Sequence, residues 1–193
     1  MFQVRFHGRG GQGVVTAAEL LASAAFLQDR YAQAFPSFGS ERMGAPVMSF
    51  CRIDDKPIRT HEPVAEPDAL LIQDPTLLHQ SDLFAGLAAD GYVLVNSANS
   101  FAELGLAELA AQHPAGRLLV VPATALAMTH LGRPLPGAPM LGGLAALTGV
   151  VSLDAVLAAI TERFSGQVAA GNTAAARAAF DYVTAERKAL TDA

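Results

Sequence analysis

The sequence predicts an α/β fold: a single three-layer, Rossmann-like domain over residues 1–193, with a mostly parallel (mixed) sheet, a β-hairpin insertion and a helical C-terminal part. Three observations lead there. Short apolar runs alternate with helical stretches, a glycine-rich turn joins the first run to the first helix, and helical signals replace strand signals from Ala123 onward.

Phe2 to Phe6 is an extended apolar start, and the glycine turn His7-Gly8-Arg9-Gly10-Gly11-Gln12-Gly13 follows it. A helix over roughly 13–28 is expected from apolar residues at Val14, Ala18, Leu21, Ala22 and Ala25. The segment Arg30-Tyr31-Ala32-Gln33 gives no strand pattern, and Ala34 to Pro46 reads as a rigid loop because prolines and glycines surround a Ser-Glu-Arg centre. Val47 to Ile53 is β-branched and aromatic, hence a strand; Asp54-Asp55-Lys56-Pro57 turns the chain, and Ile58-Arg59-Thr60 is expected to return antiparallel as a hairpin.

Ala69 to Gln73, Tyr92 to Asn96 and Arg117 to Val121 are continuous apolar runs of the kind buried on both faces of a sheet. Helices are expected between them, over Thr76 to Ala89 and Phe101 to Gln112. Thr124 to Leu131 and Met140 to Thr148 follow, with a Gly/Pro-rich connection between the two. Ser152 is read as the cap of a helix reaching about Phe164, and Asn172 as the cap of a last helix ending near Leu190.

A net charge of −5 without a Lys/Arg cluster argues against nucleic acid. No apolar run approaches the ~18–20 residues of a bilayer span, and the start lacks the pattern of a secretory leader, so a cytoplasmic location is expected. With 51% hydrophobic and 16% charged residues, little charge is left to solvate a monomer, which points to a subunit of something larger. Cys51 is the sole cysteine, and His7, His61, His79, His113 and His130 form no i, i+3 or i+4 pair, so no metal site is expected.

Gly8, Gly10 and Gly13 fit G-x-G-x-x-G, in which glycines allow close backbone approach and a helix N-terminus offers amides to an anion. Three roles stay open for the turn: close packing alone, a cofactor or substrate phosphate, or contact with a partner subunit, with the Gln12 amide reaching a ligand or a facing chain. An ordinary NAD(P) site would need a second parallel strand ending in an acid about twenty residues on; Asp29 is the only acid near that spacing. A stand-alone Rossmann-type NAD(P)-binding protein is therefore the alternative reading. In the loop, Ser37, Ser40, Glu41 and Arg42 either bind a ligand, Arg42 gripping a carboxylate or phosphate with its planar fork, or form an internal network. No Gly-x-Ser-x-Gly elbow or P-loop occurs, Asp54, Asp55 and Asp68 read as turn residues, and no catalytic set assembles.

Gly8 to Ala18 together with Phe35 to Val47 resemble the gamma subunit of the 2-oxoacid:ferredoxin oxidoreductases, whose best-known member is the pyruvate enzyme. Pro67-Asp68, Asp90-Gly91 before Val93 to Ser97, and Met140 to Leu144 leading to Thr148-Gly149 extend the match along nearly the whole chain. The resemblance implies a complex that uses thiamine diphosphate and Mg to decarboxylate a 2-oxoacid oxidatively. Electrons pass through 4Fe-4S clusters to ferredoxin, or to NAD by way of an additional FAD-bearing flavin subunit, and an acyl-coenzyme A is released. It also implies alpha, beta and delta partner subunits that carry the diphosphate and the clusters, since this chain lacks the Gly-Asp-Gly and Asn signature and has one cysteine. Gly8, Gly10, Gly11, Gln12 and Gly13, with Ser37, Phe38, Gly39, Ser40, Glu41 and Arg42, then form the ligand-facing or subunit-facing edge, on the coenzyme A side. Where many relatives carry an Asn before Met140, this chain has Pro136-Gly137-Ala138-Pro139, which is compatible with a branch acting on aryl-glyoxylates such as phenylglyoxylate or on branched-chain 2-oxoacids.

Overall fold

A computed structural model describes residues 1–37, 43–80 and 83–192. Among them, six strands form one mixed sheet in the order β2-β3-β1-β4-β5-β6: β1 (Phe2–Arg9), β2 (Tyr31–Pro36), β3 (Pro46–Asp54), β4 (Ala69–Ile72), β5 (Tyr92–Asn96) and β6 (Leu118–Val121). β1, β4, β5 and β6 pair in parallel, whereas β3 runs antiparallel between β1 and β2. The mixed α/β class expected from the sequence is borne out.

The hairpin sits elsewhere than expected. Ile58 to Thr60 is not a strand; the hairpin partner of β3 is β2, over the segment read as patternless. β2 places Ala32 and Ala34 against the core and leaves Tyr31 exposed. Its small inward residues give little hydrophobic alternation, and pairing with β3 supplies what propensity does not. β2 and β3 thus form the hairpin.

Side chains alternate across the sheet. Val4, Phe6, Cys51, Ile53, Leu71, Leu94, Leu119 and Val121 face the larger core under α1 (Val14–Phe26), α4 (Gly137–Thr148), α5 (Leu153–Arg163) and α6 (Gly166–Thr191), with α3 (Ala123–Leu131) beside them. Leu70, Ile72, Val93, Val95 and Leu118 face a second core closed by Leu77, Leu78, Leu83 and Phe101. On that second face β1 and β3 carry buried charge: Arg5 donates to the carbonyls of Leu83 (2.9 Å) and Ala85 (2.8 Å), and Arg52 to the Gln3 side chain (3.0 Å) and the Glu62 carbonyl. Carbonyl oxygens rather than carboxylates receive the bonds of these cations and pin the irregular segments onto the sheet, with one Arg52 nitrogen, Nη1, left without a partner among the described residues.

The second face is covered by less helix than the sequence suggests. Among the described residues, the stretch expected as Thr76 to Ala89 holds a single 3₁₀ turn, Pro75–His79, and Phe101 to Gln112 only α2 (Ala107–Ala111). Gly86 and Gly105 take left-handed φ of 77° and 75°, and a side chain at Gly86 would collide with the Ala65 carbonyl, so the chain turns where a helix would have to continue. Ser152 caps α5 as expected, accepting from the Ala155 amide at 3.1 Å. Asn172 does not cap the last helix: α6 starts at Gly166, and Asn172 lies within it, donating to the Val168 carbonyl at 2.9 Å. α4 begins at Gly137, ahead of the expected Met140, and crosses α6 so closely that a Cβ on Gly142 would strike the Ala176 carbonyl.

Candidate functional site

The chain leaves β1 by way of α1 toward β2 on one side, whereas β4 lies on the other side of β1. The carboxyl ends of β1 and β4 therefore flank the switch point of the sheet, where open α/β folds leave a crevice. The glycine turn follows β1 at this place, and Gln73, Asp74 and Thr76 follow β4.

A polar network fixes the turn. The Gln12 Oε1 accepts from the Arg9 amide (2.8 Å), and the Gln12 Nε2 donates to the Asp74 Oδ2 (2.8 Å). The Asp74 Oδ1 accepts from the Thr76 hydroxyl (2.6 Å) and amide (2.9 Å). Arg9 lies 3.3 Å from Asp74, donates to the Thr76 hydroxyl (2.8 Å) and reaches the Gly44 carbonyl (3.0 Å). Burial alone would raise the Asp74 pKa, but the bonds from Thr76 and Gln12 and the Arg9 charge outweigh it and hold the carboxyl below its ordinary range. Both polar atoms of Gln12 thus serve the turn in this structure. Asp74 and Thr76, which sequence reasoning missed, are its other half; a Pro75 between two side chains that bond the same backbone turn was the available signal.

The glycines answer specific geometry. Gly8 packs so tightly that a Cβ would meet the Val14 Cγ2 at 2.5 Å and the Gln12 Oε1 at 3.0 Å. Gly13, the N-cap of α1, has a left-handed φ of 72° and makes no side-chain cap, so the first amides of the helix have no capping side chain among the described residues. Two hollows meet there. One, of about 330 Å³, runs along Arg9, Gly10, Gly11 and Val14 to Thr16. The other, a cleft of about 520 Å³, opens between α1 and the start of α4, with apolar walls from Leu20, Leu131, Leu135 and Phe164 and with Arg133 and Arg163 at its edge.

The hairpin tip comes to the same place. The Gly10 amide donates to the Ala45 carbonyl (2.9 Å), and the Gly44 amide to the Gly10 carbonyl (3.1 Å), so the two blocks singled out in the sequence are neighbours. Ser37 extends the hairpin through its amide to the Met48 carbonyl (2.9 Å). Phe38, Gly39, Ser40, Glu41 and Arg42 lie outside the described residues. Exposed Met43 borders Gly11.

His7 is buried on the opposite face of β1 and accepts from the Arg5 Nε at 3.0 Å; burial, then the Arg5 charge, lower its pKa to about 3, so it is neutral. Cys51 lies in the core, where burial pushes its thiol up. That thiol is no ligand for a cluster, and no group of three His, Cys, Asp or Glu suited to a metal occurs among the described residues. No helix there is long and apolar enough to cross a membrane. The strand beside β1 at the ordinary dinucleotide position is the antiparallel β3, and β2 ends at Pro36 without an acid, which counts against an NAD(P) ribose site.

Comparison with known proteins agrees in extent with the fold. The family model described as pyruvate ferredoxin/flavodoxin oxidoreductase matches residues 3–182. The pyruvate/ketoisovalerate oxidoreductases common subunit gamma of Pyrococcus abyssi is 48% identical over 94% of this chain and 96% of its own. The pyruvate synthase subunit PorC of Methanothermobacter marburgensis is 47% identical over 94% and 97%. The crystal structure of the pyruvate oxidoreductase subunit PORC of Thermotoga maritima superposes with a TM-score of 0.79 at 36% identity, covering 93% of this chain and 95% of that one. The chain belongs to the pyruvate ferredoxin/flavodoxin oxidoreductase family and is of its gamma-subunit type, as the glycine turn and the following loop foretold.

Proposed function

We propose that this chain is the gamma subunit of a cytoplasmic 2-oxoacid oxidoreductase complex, and that its switch-point edge faces the coenzyme A side of the reaction centre. In this reading the whole chain, 1–193, acts as one domain. It supplies no reactive group: alpha, beta and delta partners bring thiamine diphosphate, Mg and the 4Fe-4S clusters, and this chain shapes the space around them.

One observation carries the reading. The uncapped N-terminus of α1, the glycine turn and Arg133 give positive potential to a cleft with largely apolar walls, at whose edge Arg163 is paired with Glu19. A molecule with phosphates at one end and a long, weakly polar arm suits such a cleft, and coenzyme A has that form. Gly8, Gly10, Gly11 and Gly13 bring the backbone near the ligand, Gln12 holds the turn from behind, and Ser37, Phe38, Gly39, Ser40, Glu41 and Arg42 complete the same edge in this reading.

The 2-oxoacid and the acceptor are properties of the partners in this reading. The Pyrococcus relative is named as common to a pyruvate and a ketoisovalerate enzyme, so in that organism one gamma chain serves two substrates. Pyruvate, branched 2-oxoacids and phenylglyoxylate, with ferredoxin or NAD as acceptor, are the combinations to assay.

The experiment is to purify the native complex and replace Arg133→Gln and Arg42→Gln in turn. Brown, cluster-bearing partners should co-elute, and each change should raise the KM for coenzyme A by about tenfold, the cost of one charged hydrogen bond, with little effect on assembly. Intact assembly with unchanged kinetics rejects the coenzyme A side. A colourless, NAD-binding monomer rejects the whole reading.

A further inference from the structure

We propose that Gln73, at the carboxyl end of β4, is a ligand-recognising residue of this cleft, whose buried amide pairs with a hydroxyl or amide of the molecule that enters between the amino ends of α1 and α4. The inference rests on the coenzyme A reading and deepens it, since the arm of that molecule carries such groups.

Gln73 is 1% exposed. Its backbone is satisfied: the amide donates to the His7 carbonyl at 2.7 Å, and its carbonyl accepts from the Asn96 Nδ2 at 2.8 Å. Its side chain is not, for neither Nε2 nor Oε1 has a partner among the described residues. Leaving both a donor and an acceptor buried and unmade is costly, and leucine or methionine would fill the same volume without that cost. Such a group marks a place where local stability has been given up for something else.

Its surroundings say what lies next to it. A Cβ on Gly8 would come 3.3 Å from the Gln73 Cβ, so the glycine turn rests directly on this residue. A Cβ on Gly137 would lie 3.9 Å from the Gln73 Nε2, 3.7 Å from the Gly13 carbonyl oxygen and 3.6 Å from the Ala17 Cβ. Gly137 is the first residue of α4 and part of the cleft wall, together with Gly13 and Ala17. Gln73 does not itself line the cleft, but what stands next to its amide there is Gly137, a residue without a side chain at the end of a Gly/Pro-rich connection. A small displacement of that connection on binding brings the amide into the cleft, where the ligand makes the two bonds that the chain alone leaves unmade.

The test uses the assembled complex carrying Gln73→Met, Gln73→Leu or, as a probe of the cleft itself, Thr16→Trp, each measured for coenzyme A kinetics and for thermal unfolding. Gln73→Met and Gln73→Leu should raise the melting temperature by about 2–4 °C, because the unpaired amide is gone. They should also raise the KM for coenzyme A by about tenfold with a smaller change in kcat. A lower melting temperature in both variants overturns the proposal, because the amide is then satisfied inside the chain. A higher melting temperature with unchanged KM overturns it too, the amide being frustrated but unused. If Thr16→Trp raises the KM while the Gln73 variants do not, this inference fails alone; if none of the three does, the coenzyme A reading of the cleft falls with it.

Discussion

The Gln12 amide nitrogen and the Asp74 carboxylate lie 2.8 Å apart, tying the turn after β1 to the segment after β4 across the switch point. Neither residue reaches the other in sequence. Their bond, with those of Arg9 and Thr76 to the same carboxylate, forms the turn before any ligand arrives, so the ordering entropy is already met.

Asp74→Ala should therefore lower stability by about 2–3 kcal/mol, since it strands the Gln12 amide and the Arg9 guanidinium together. Asp74→Asn should cost about 1–2 kcal/mol, because its amide group would turn a donor toward Gln12 or toward Thr76. Urea unfolding of the isolated subunit measures both, and equal stability of wild type and Asp74→Ala would show that the network is ornamental.

Two groups should shape the acid limb of stability, in different windows. His7 has a folded pKa near 3 against 6.5 unfolded, so the unfolded chain takes up the proton first and stability declines as pH drops below about 6.5. The Asp74 pKa is depressed, so its contribution is present above the unfolded value of about 3.9 and is lost as pH falls through the lower folded value. In urea titrations at several pH values, His7→Gln should flatten the curve between about pH 4 and 6.5, and Asp74→Asn only below about 4. NMR of the His7 ring should show no titration above pH 4.

Two glycines should differ in what their replacement does. In Gly8→Ala the new methyl meets side-chain atoms of Val14, Gln12 and Gln73, of which the Gln12 end can yield while the β-branched Val14 yields less, so the expected cost is about 1–3 kcal/mol with a loosened turn. In Gly142→Ala it meets the backbone oxygen of Ala176, which cannot move without parting α4 from α6; about 3 kcal/mol or more is expected. Calorimetry that ranks them in the reverse order would contradict the helix crossing described above.

Ser152→Ala removes the side chain that accepts from the Ala155 amide at the start of α5. The expected loss is about 1 kcal/mol, with coenzyme A kinetics unaltered, because α5 meets the cleft through its far end at Arg163. A changed KM in this variant would mean that the helix transmits motion to the cleft.

Much of the frame was legible because continuous apolar runs such as Leu70 to Ile72 and Val93 to Val95 have few places to go other than a sheet buried on both faces. β2 was not legible: Ala32 and Ala34 bury little area, and the strand is made by β3, which comes later in the chain. The helices expected over 76–89 and 101–112 failed because the apolar spacing of Leu83, Leu87, Leu104 and Leu109 suits turns that lie on a sheet as well as it suits a helix. At the site, the glycines announced themselves by residue type. Asp74 and Gln73 did not, since their meaning depends on what faces them, and only folding brings Gln12 and Gly137 there.

Because β3 returns between β1 and β2, the two ends of the hairpin connection are fixed by backbone bonds: Ser37 to Met48 of β3, and Ala45 to Gly10 of the glycine turn. Replacements between those two anchors need not disturb the register of a single core residue. Ser37 and Ala45 are therefore the natural junctions at which the stretch between them can be grafted from one gamma chain onto the scaffold of another.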